Sequence, residues 1–455
     1  MKNGKRSSFS GKLGYVLAAA GASVGLGNIW RFPYLAAKYG GGIFLIIYIV
    51  LALTFGYTMI VAETAIGRMT RKSPVGAFKS FGKKKWLSFG GWINAVIPVL
   101  IVPYYSVIGG WVIKYLVEYF RGNAKQLAED GYFTDFISNG VSTELCFMAF
   151  CAFTLIIIFA GVQNGIERVS KIMMPILIVL SVIIAVYSVT RPGALAGVKY
   201  FLVPNVKNFS WMTVVSAMGQ MFYSLSIAMG ILITFGSYMK KDTAIEDSTR
   251  NVEVFDTGIA IMAGLMIIPA VFAFSGGDPN TLQAGPSLMF ITIPKVFQNM
   301  GFGTVIGIVF FLLVLFAAVT SSIALTESAV STFEDELGWG RKKATVLVGV
   351  IMLALGSLSS LGYGPLAGIK IIGMQFLDLF DFLTNSVMMP IAALLTSLLV
   401  SRVVGIDKIE EEIIHGESAF RRKKVFVVMI KYLCPVFAII ILLSSVANAL
   451  GWIKM

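Results

Sequence analysis

The chain has 455 residues, 57% hydrophobic and only 13% charged, with a mean hydropathy of +0.82. That balance excludes a soluble domain, and segments near the roughly 20 apolar residues that one membrane-spanning helix needs recur from end to end. The net charge of +13 gathers in alternate loops, which membrane topology explains better than nucleic acid, although a basic loop admits both readings.

Eleven apolar segments follow one another, at 13–37, 41–67, 88–120, 142–160, 170–189, 211–239, 254–274, 302–333, 343–361, 375–401 and 425–450. They predict an all-α integral membrane protein with eleven transmembrane helices and a short cytoplasmic N-terminal segment over 1–12. The opening MKNGKRSSFSGK is basic but leads into a full-length span, which argues against a removable signal peptide. Seven Lys or Arg and no acid lie between Arg68 and Lys85, after the second segment. The N-terminus and the basic loops after segments two, eight and ten fall on one side, predicted to be the cytoplasm. An odd number of spans then puts the tail GWIKM outside. Cys146, Cys151 and Cys434 lie in apolar segments with neither metal nor disulfide spacing, and His415 sits in a charged loop, where it reads as solvated.

The first segment contains GASVGLGNIWRFPY, with Gly21, Gly25 and Gly27 followed by Asn28, Arg31 and Pro33. A glycine run can serve close helix packing, but that does not account for Asn28 and Arg31. A broken helix bares amide N–H groups that attract anions and carbonyls that attract cations. Such backbone persists at membrane depth only where it lines a cavity or meets a ligand. Gly25, Leu26 and Gly27 can therefore offer N–H groups to a carboxylate. The carbonyls of Gly21, Ser23 and Val24 and the Asn28 side chain can face a small hard cation. Gly165 and Pro175, with nine residues between them at the start of segment five, allow either an unwinding inner end or an ordinary proline kink. Segment six carries a matching polar interruption, SLSIAMG, with Ser224 and Ser226. Segment eight has Thr320, Ser321 and Ser322 in succession, which either bond back to their own helix or serve a cation. Glu63, Asp256 and Asp381 fall inside spans, where a carboxylate carries a functional presumption. Arg31 and Asp381 can pair across a cavity, Asp256 is a candidate cation ligand, and Glu63 can accept bonds from unwound backbone. Segments one and six each open a block of five, 13–190 and 211–401, and broken helices at matching positions point to a transporter site at the midplane.

The run GASVGLGNIWRFPYLAAKYGGG, together with SLS, FAAVTSSIA, FEDELG and the Gly165–Pro175 spacing, resembles the sodium-coupled neurotransmitter and amino-acid symporter family. Eleven spans, rather than twelve, resemble its bacterial branch. The resemblance implies a five-plus-five inverted-repeat fold, with helices one and six unwound, and sodium-driven amino-acid import. It implies a first sodium ion at the Ser23 carbonyl, Asn28, Ser224 and Asp256, where many members carry Asn in place of Asp256. It implies a second at the carbonyls of Gly21, Val24 and Ala317 and the hydroxyls of Thr320 and Ser321. The substrate would meet Ser23, Leu26, Gly27, Ile101, Tyr105, Tyr223, Ser224, Ser226, Met229, Ser321 and Leu325. An extracellular gate would comprise Arg31, Asp381, Tyr105 and Tyr223. An intracellular gate would comprise Arg6, Phe9, Tyr238 and Asp335, looser at Phe9, where the family usually has Trp. Gly25 stands where amine transporters carry aspartate, which implies a ligand bringing its own carboxylate. Animal members hold chloride near Tyr48, Gln220, Ser224 and a serine close to Ala260; Asp256 implies chloride independence here. The expected substrate is a neutral, hydrophobic L-amino acid, aliphatic or aromatic. The expected partners are sodium, that amino acid and the bilayer of the cell membrane. A sodium-dependent sensor or channel-like protein of the same fold is the alternative, and no nucleophile–base constellation suggests an enzyme.

Overall fold

The computed structural model describes residues 6–276, 285–449 and 451–452. The first five residues of the expected segment 1–12 and residue 450 at the end of the last span lie outside them. Thirteen principal helices account for the eleven expected segments. They are α1 (Lys12–Ser23), α2 (Gly27–Lys38), α3 (Gly42–Thr70), α4 (Lys85–Phe120), α5 (Gly140–Phe159), α6 (Val162–Val189), α7 (Trp211–Ser224), α8 (Ile231–Tyr238), α9 (Ile245–Ser275), α10 (Gly303–Leu337), α11 (Arg341–Leu361), α12 (Phe376–Val404) and α13 (Lys423–Asn448). Nine of them are each long and apolar enough to cross a bilayer, and the bent pair α1–α2 makes a tenth crossing. The predicted sixth segment, 211–239, is present as α7 and α8, only 14 and 8 residues long. With 36 and 35 residues, α4 and α10 would be over 50 Å long at ~1.5 Å per residue, so each must tilt to fit a core of ~30 Å.

Both breaks follow from local backbone chemistry. At the end of α1, Val24 turns extended (φ −75°, ψ 96°), and the chain re-enters a helix bent by 52°. After α7, Ser226, Ala228 and Gly230 take φ of 53°, 59° and 69°. Two of these are not glycine, so the turn costs energy unless its surroundings hold it. They do: Ser226 Oγ donates to the Ala22 carbonyl at 2.9 Å, and the Ala228 N–H donates to Glu63 Oε1 at 2.8 Å. Each break is thus pinned to its neighbour. The other helices enclose this pair, with α10 packed along α4, α6 on α9, and α1 on α6, α9 and α10.

At Gly67 and Gly236, α3 and α8 meet backbone to backbone. A Cβ on Gly67 would collide with the Ile233 carbonyl, and one on Gly236 with the Thr64 carbonyl. Small residues that bring backbones together are a membrane substitute for hydrophobic association. Gly236→Val is expected to cost ~1–3 kcal/mol of stability through overpacking. This would show as a lower thermal unfolding midpoint in detergent, whereas Gly258→Ala, with open space around its Cβ, leaves the midpoint unchanged.

Candidate functional site

The two breaks face each other, and an ionic centre sits beside them. Asp256, fully buried on α9, is the hub. Its Oδ1 accepts from Asn28 Nδ2 at 2.8 Å and Ser224 Oγ lies at 2.9 Å; its Oδ2 accepts from Tyr48 OH at 3.0 Å. The Asn28 Oδ1 turns the other way and accepts the Gly25 N–H at 3.1 Å. Asn28 therefore presents its amide nitrogen, rather than its oxygen, to Ser224 and Asp256. Gln220 Nε2 donates to the Gly27 carbonyl at 3.0 Å, tying α7 to the start of α2.

A second cluster is built almost wholly of acceptors. Ser321 Oγ lies 3.3, 3.1 and 3.4 Å from the carbonyl oxygens of Gly21, Ala22 and Val24. Beside it, Thr320 Oγ1 is 3.0 and 3.2 Å from the carbonyls of Phe316 and Ala317 on its own helix. Each hydroxyl has one proton to give. The Ala22 carbonyl also takes the Ser226 hydroxyl, and those of Phe316 and Ala317 take N–H groups within α10; the Gly21 and Val24 carbonyls, at the broken end of α1, share the single Ser321 proton, which leaves oxygen lone pairs suited to a hard cation. Thr320 thus combines back-bonding with membership of the cluster, while Ser322 turns away to Thr154 Oγ1 at 3.2 Å.

Between the centres lies a cavity of about 30 Å³, lined by Ser23, Leu26, Gly27, Ile101, Tyr105, Tyr223, Ser226, Met229, Ser321 and Leu325 among others. It has room for a water molecule or so. Tyr105 OH stands in the mouth of the bared amides and accepts from Leu26 N–H at 3.3 Å. Tyr223 also borders a far larger vestibule of about 500 Å³, whose walls include Arg31, Asp378 and Asp381. Arg31 and Asp381 are not ion-paired there. Arg31 lies over the Tyr223 ring, 5.3 Å from its centroid, and Asp381 accepts from Tyr104 OH at 3.2 Å and Asn385 Nδ2 at 2.6 Å. The expected pair across the cavity is absent because each partner is satisfied on its own wall.

The opposite end is sealed. Arg6 reaches Asp335 at 2.5 Å and also donates to Ser331 at 2.8 Å and Ser237 at 3.0 Å. Asp335 in turn accepts the Ser73 N–H at 2.6 Å. Phe9 is 1% exposed and packs edge-on against Tyr15, Phe235 and Tyr238, so the packing there is tight rather than loose. Gly165 lies in a wide turn at the start of α6, and Pro175 lies within the continuous helix, so α6 is wound in this state.

The residues expected for the outer gate, cavity and inner gate thus lie in three layers, except that Ser224 faces Asp256 and does not line the cavity. The motifs did not point to Glu327, which is fully buried on α10. It accepts from Tyr238 OH at 2.7 Å and pairs with Arg341 at 2.5 Å. Its signal was available, because it too is a carboxylate within a predicted span.

The family described as the sodium:neurotransmitter symporter family matches this chain over residues 6–129 and 117–452. The sodium-dependent transporter YhdH of Bacillus subtilis is 34% identical over 98% of this chain and 99% of its own. The human sodium- and chloride-dependent GABA transporter 2 is 26% identical over 90% of this chain and 75% of its own. The crystal structure of MhsT in complex with L-phenylalanine superposes with a TM-score of 0.87 at 34% identity, covering 97% of this chain and all of that one. Glu63→Ala should remove the acceptor for the Ala228 N–H and cost ~1–3 kcal/mol. Glu63→Gln, which keeps a carbonyl oxygen there, should restore most of it, as read by thermal unfolding in detergent.

Proposed function

The chain belongs to the sodium:neurotransmitter symporter family, and on that premise we propose that it imports a neutral, hydrophobic L-amino acid with two sodium ions and without chloride. The observation that carries this reading is the convergence of two pinned helix breaks on one cavity, with a carboxylate centre on one side and a carbonyl-rich cluster on the other. The first ion takes the Ser23 carbonyl, Asn28, Ser224 and Asp256. Asn28 turns its amide over to present oxygen as the ion arrives. The second takes the carbonyls of Gly21, Val24 and Ala317 and the hydroxyls of Thr320 and Ser321.

The substrate carboxylate replaces the Tyr105 hydroxyl at the Leu26 and Gly27 amides and also touches the first ion. A shared ligand makes each bind the other more tightly. Ile101, Met229 and Leu325, with Ser226 and Ser321 at the rim, form an apolar pocket for its side chain. Gly25 leaves no charge there for an amine, and the phenylalanine bound by MhsT is of the expected class. Tyr223 must swing aside for entry, since the present cavity is too small for a side chain. Chloride is dispensable because Tyr48 and Ser224, the donors an anion would need, already face Asp256.

Arg31, Asp381, Tyr105 and Tyr223 form the outer gate, open toward the vestibule. Arg6, Phe9, Tyr238 and Asp335 form the closed inner gate, with Gly165 and Pro175 allowing α6 to unwind as it opens. Residues 13–190 and 211–401 act as the inverted halves, with the last span (425–450) outside them. The N-terminus is cytoplasmic and the C-terminus extracellular. One charge across 100 mV is worth ~2.3 kcal/mol and a tenfold gradient ~1.4 kcal/mol, so two ions supply roughly 7 kcal/mol, up to about 10⁵-fold accumulation.

Proteoliposomes with an inward sodium gradient test the reading. They should accumulate one labelled hydrophobic amino acid, displaced by its apolar relatives among the twenty and unaffected when gluconate replaces chloride. Uptake that ignores the sodium gradient, or that stops without chloride, would refute it. Asp256→Ala should raise half-saturating sodium by about tenfold or more, the loss of ~1.4 kcal/mol of binding, and an unchanged sodium titration would exclude Asp256 as a ligand.

A further inference from the structure

One face of α6 carries Gln163, Glu167 and Lys171, each four residues apart and therefore stacked along the helix. All three reach the segment before α1. Gln163 Nε2 donates to the Ser8 carbonyl at 2.7 Å. Glu167 Oε2 accepts the Ser10 N–H at 2.8 Å, and its Oε1 accepts from the Ser10 hydroxyl. Lys171 pairs with the same Oε1 at 2.6 Å and lies 3.3 Å from Ser10 Oγ. From the other side, Tyr238 O accepts the Phe9 N–H at 3.1 Å and Lys240 donates to the Ser10 carbonyl at 2.8 Å. The polar backbone of Ser8–Ser10 is thus claimed group by group.

The approach is close enough that any Cβ on Gly14 would run into the Glu167 carboxylate. An anion at the start of a 12-residue helix also meets the positive end of its dipole. Further along, Met174 on α6 lies beside Gly21, whose Cβ would sit 3.5 Å from its Sδ. Glu167 and Met174 therefore set α6 against α1 near both its ends, one at the clasped start and the other beside Gly21, whose carbonyl faces Ser321.

We infer that the Gln163–Glu167–Lys171 face of α6 is a second inner latch, separate from Arg6–Asp335, and that Glu167 is the positioning residue that keeps the Gly21 and Val24 carbonyls at the second cation cluster. This rests on the proposed assignment of that cluster to sodium. Opening the inner end requires α1 to leave α6, so breaking the clasp and releasing the ion become one event.

The test compares Glu167→Gln, Ser10→Ala and the double variant in full-length protein. The readouts are half-saturating sodium for uptake and amide hydrogen exchange of residues 8–23 at saturating sodium. Glu167→Gln should raise half-saturating sodium about three- to tenfold, the range expected for losing a charge-assisted hydrogen bond, and should speed exchange across 8–23. Ser10→Ala should act in the same direction, and the double variant should match Glu167→Gln alone. A purely structural role would lower maximal uptake and leave the sodium titration in place, which overturns the inference, as do single effects that multiply. If Glu167→Gln fails to fold, Gln163→Ala decides, with an expected shift of about two- to threefold for one neutral hydrogen bond and no shift counting against the latch. Wild-type uptake that ignores sodium would instead sink the reading of function, so the two failures are distinct.

Discussion

The structure depends on satisfying bare peptide groups where water is scarce. Each unpaired amide or carbonyl in such a place costs several kcal/mol, and two helices are interrupted side by side. The chain answers by pairing the interruptions with each other and with one carboxylate. Ser226 reaches the Ala22 carbonyl, Gln220 the Gly27 carbonyl, and Glu63 the Ala228 amide. Those bonds make left-handed Ser226 and Ala228 tolerable and hold the cavity's walls at fixed distance. What they leave incompletely paired is as informative as what they cover: carbonyls in excess of protons around Ser321, and amides capped by no more than a tyrosine hydroxyl.

Electrostatics follow the same division. Asp256 is buried without a cationic side chain, held by an amide and two hydroxyls. A buried carboxylate with no cationic partner is an unusual choice for a core. At the Arg6 end, by contrast, three ion pairs are made: Arg6 with Asp335, Glu327 with Arg341, Glu167 with Lys171. At the Asp381 end, arginine and aspartate stand apart. The contrast between an occupied and an unmade set of pairs is what a molecule closed on one side and accessible on the other must have.

Much of this was legible in the sequence. The first break announces itself through three glycines and an asparagine, because those residue types have few other uses in a span. The hydroxyl run at Thr320 and carboxylates at Glu63 and Asp256 stand out against apolar neighbours for the same reason. Other parts were not legible. Arg31 and Asp381 were expected as a pair because their charges are opposite, but pairing depends on how far two walls have closed. The side of the Asn28 amide that faces Asp256 follows from its oxygen accepting the Gly25 N–H, a contact no motif announces. The clasp on Ser8–Ser10 uses ordinary polar residues at the edge of a span, where solvated side chains are the rule, and only the fold reveals that they touch.

The close backbone approaches at Gly67 and Gly236 have a mechanical consequence. At those two points no side chain lies between α3 and α8 to slide or repack. The lower half of the broken sixth segment is thereby welded to the second, and any tilt of one carries the other with it as a single lever.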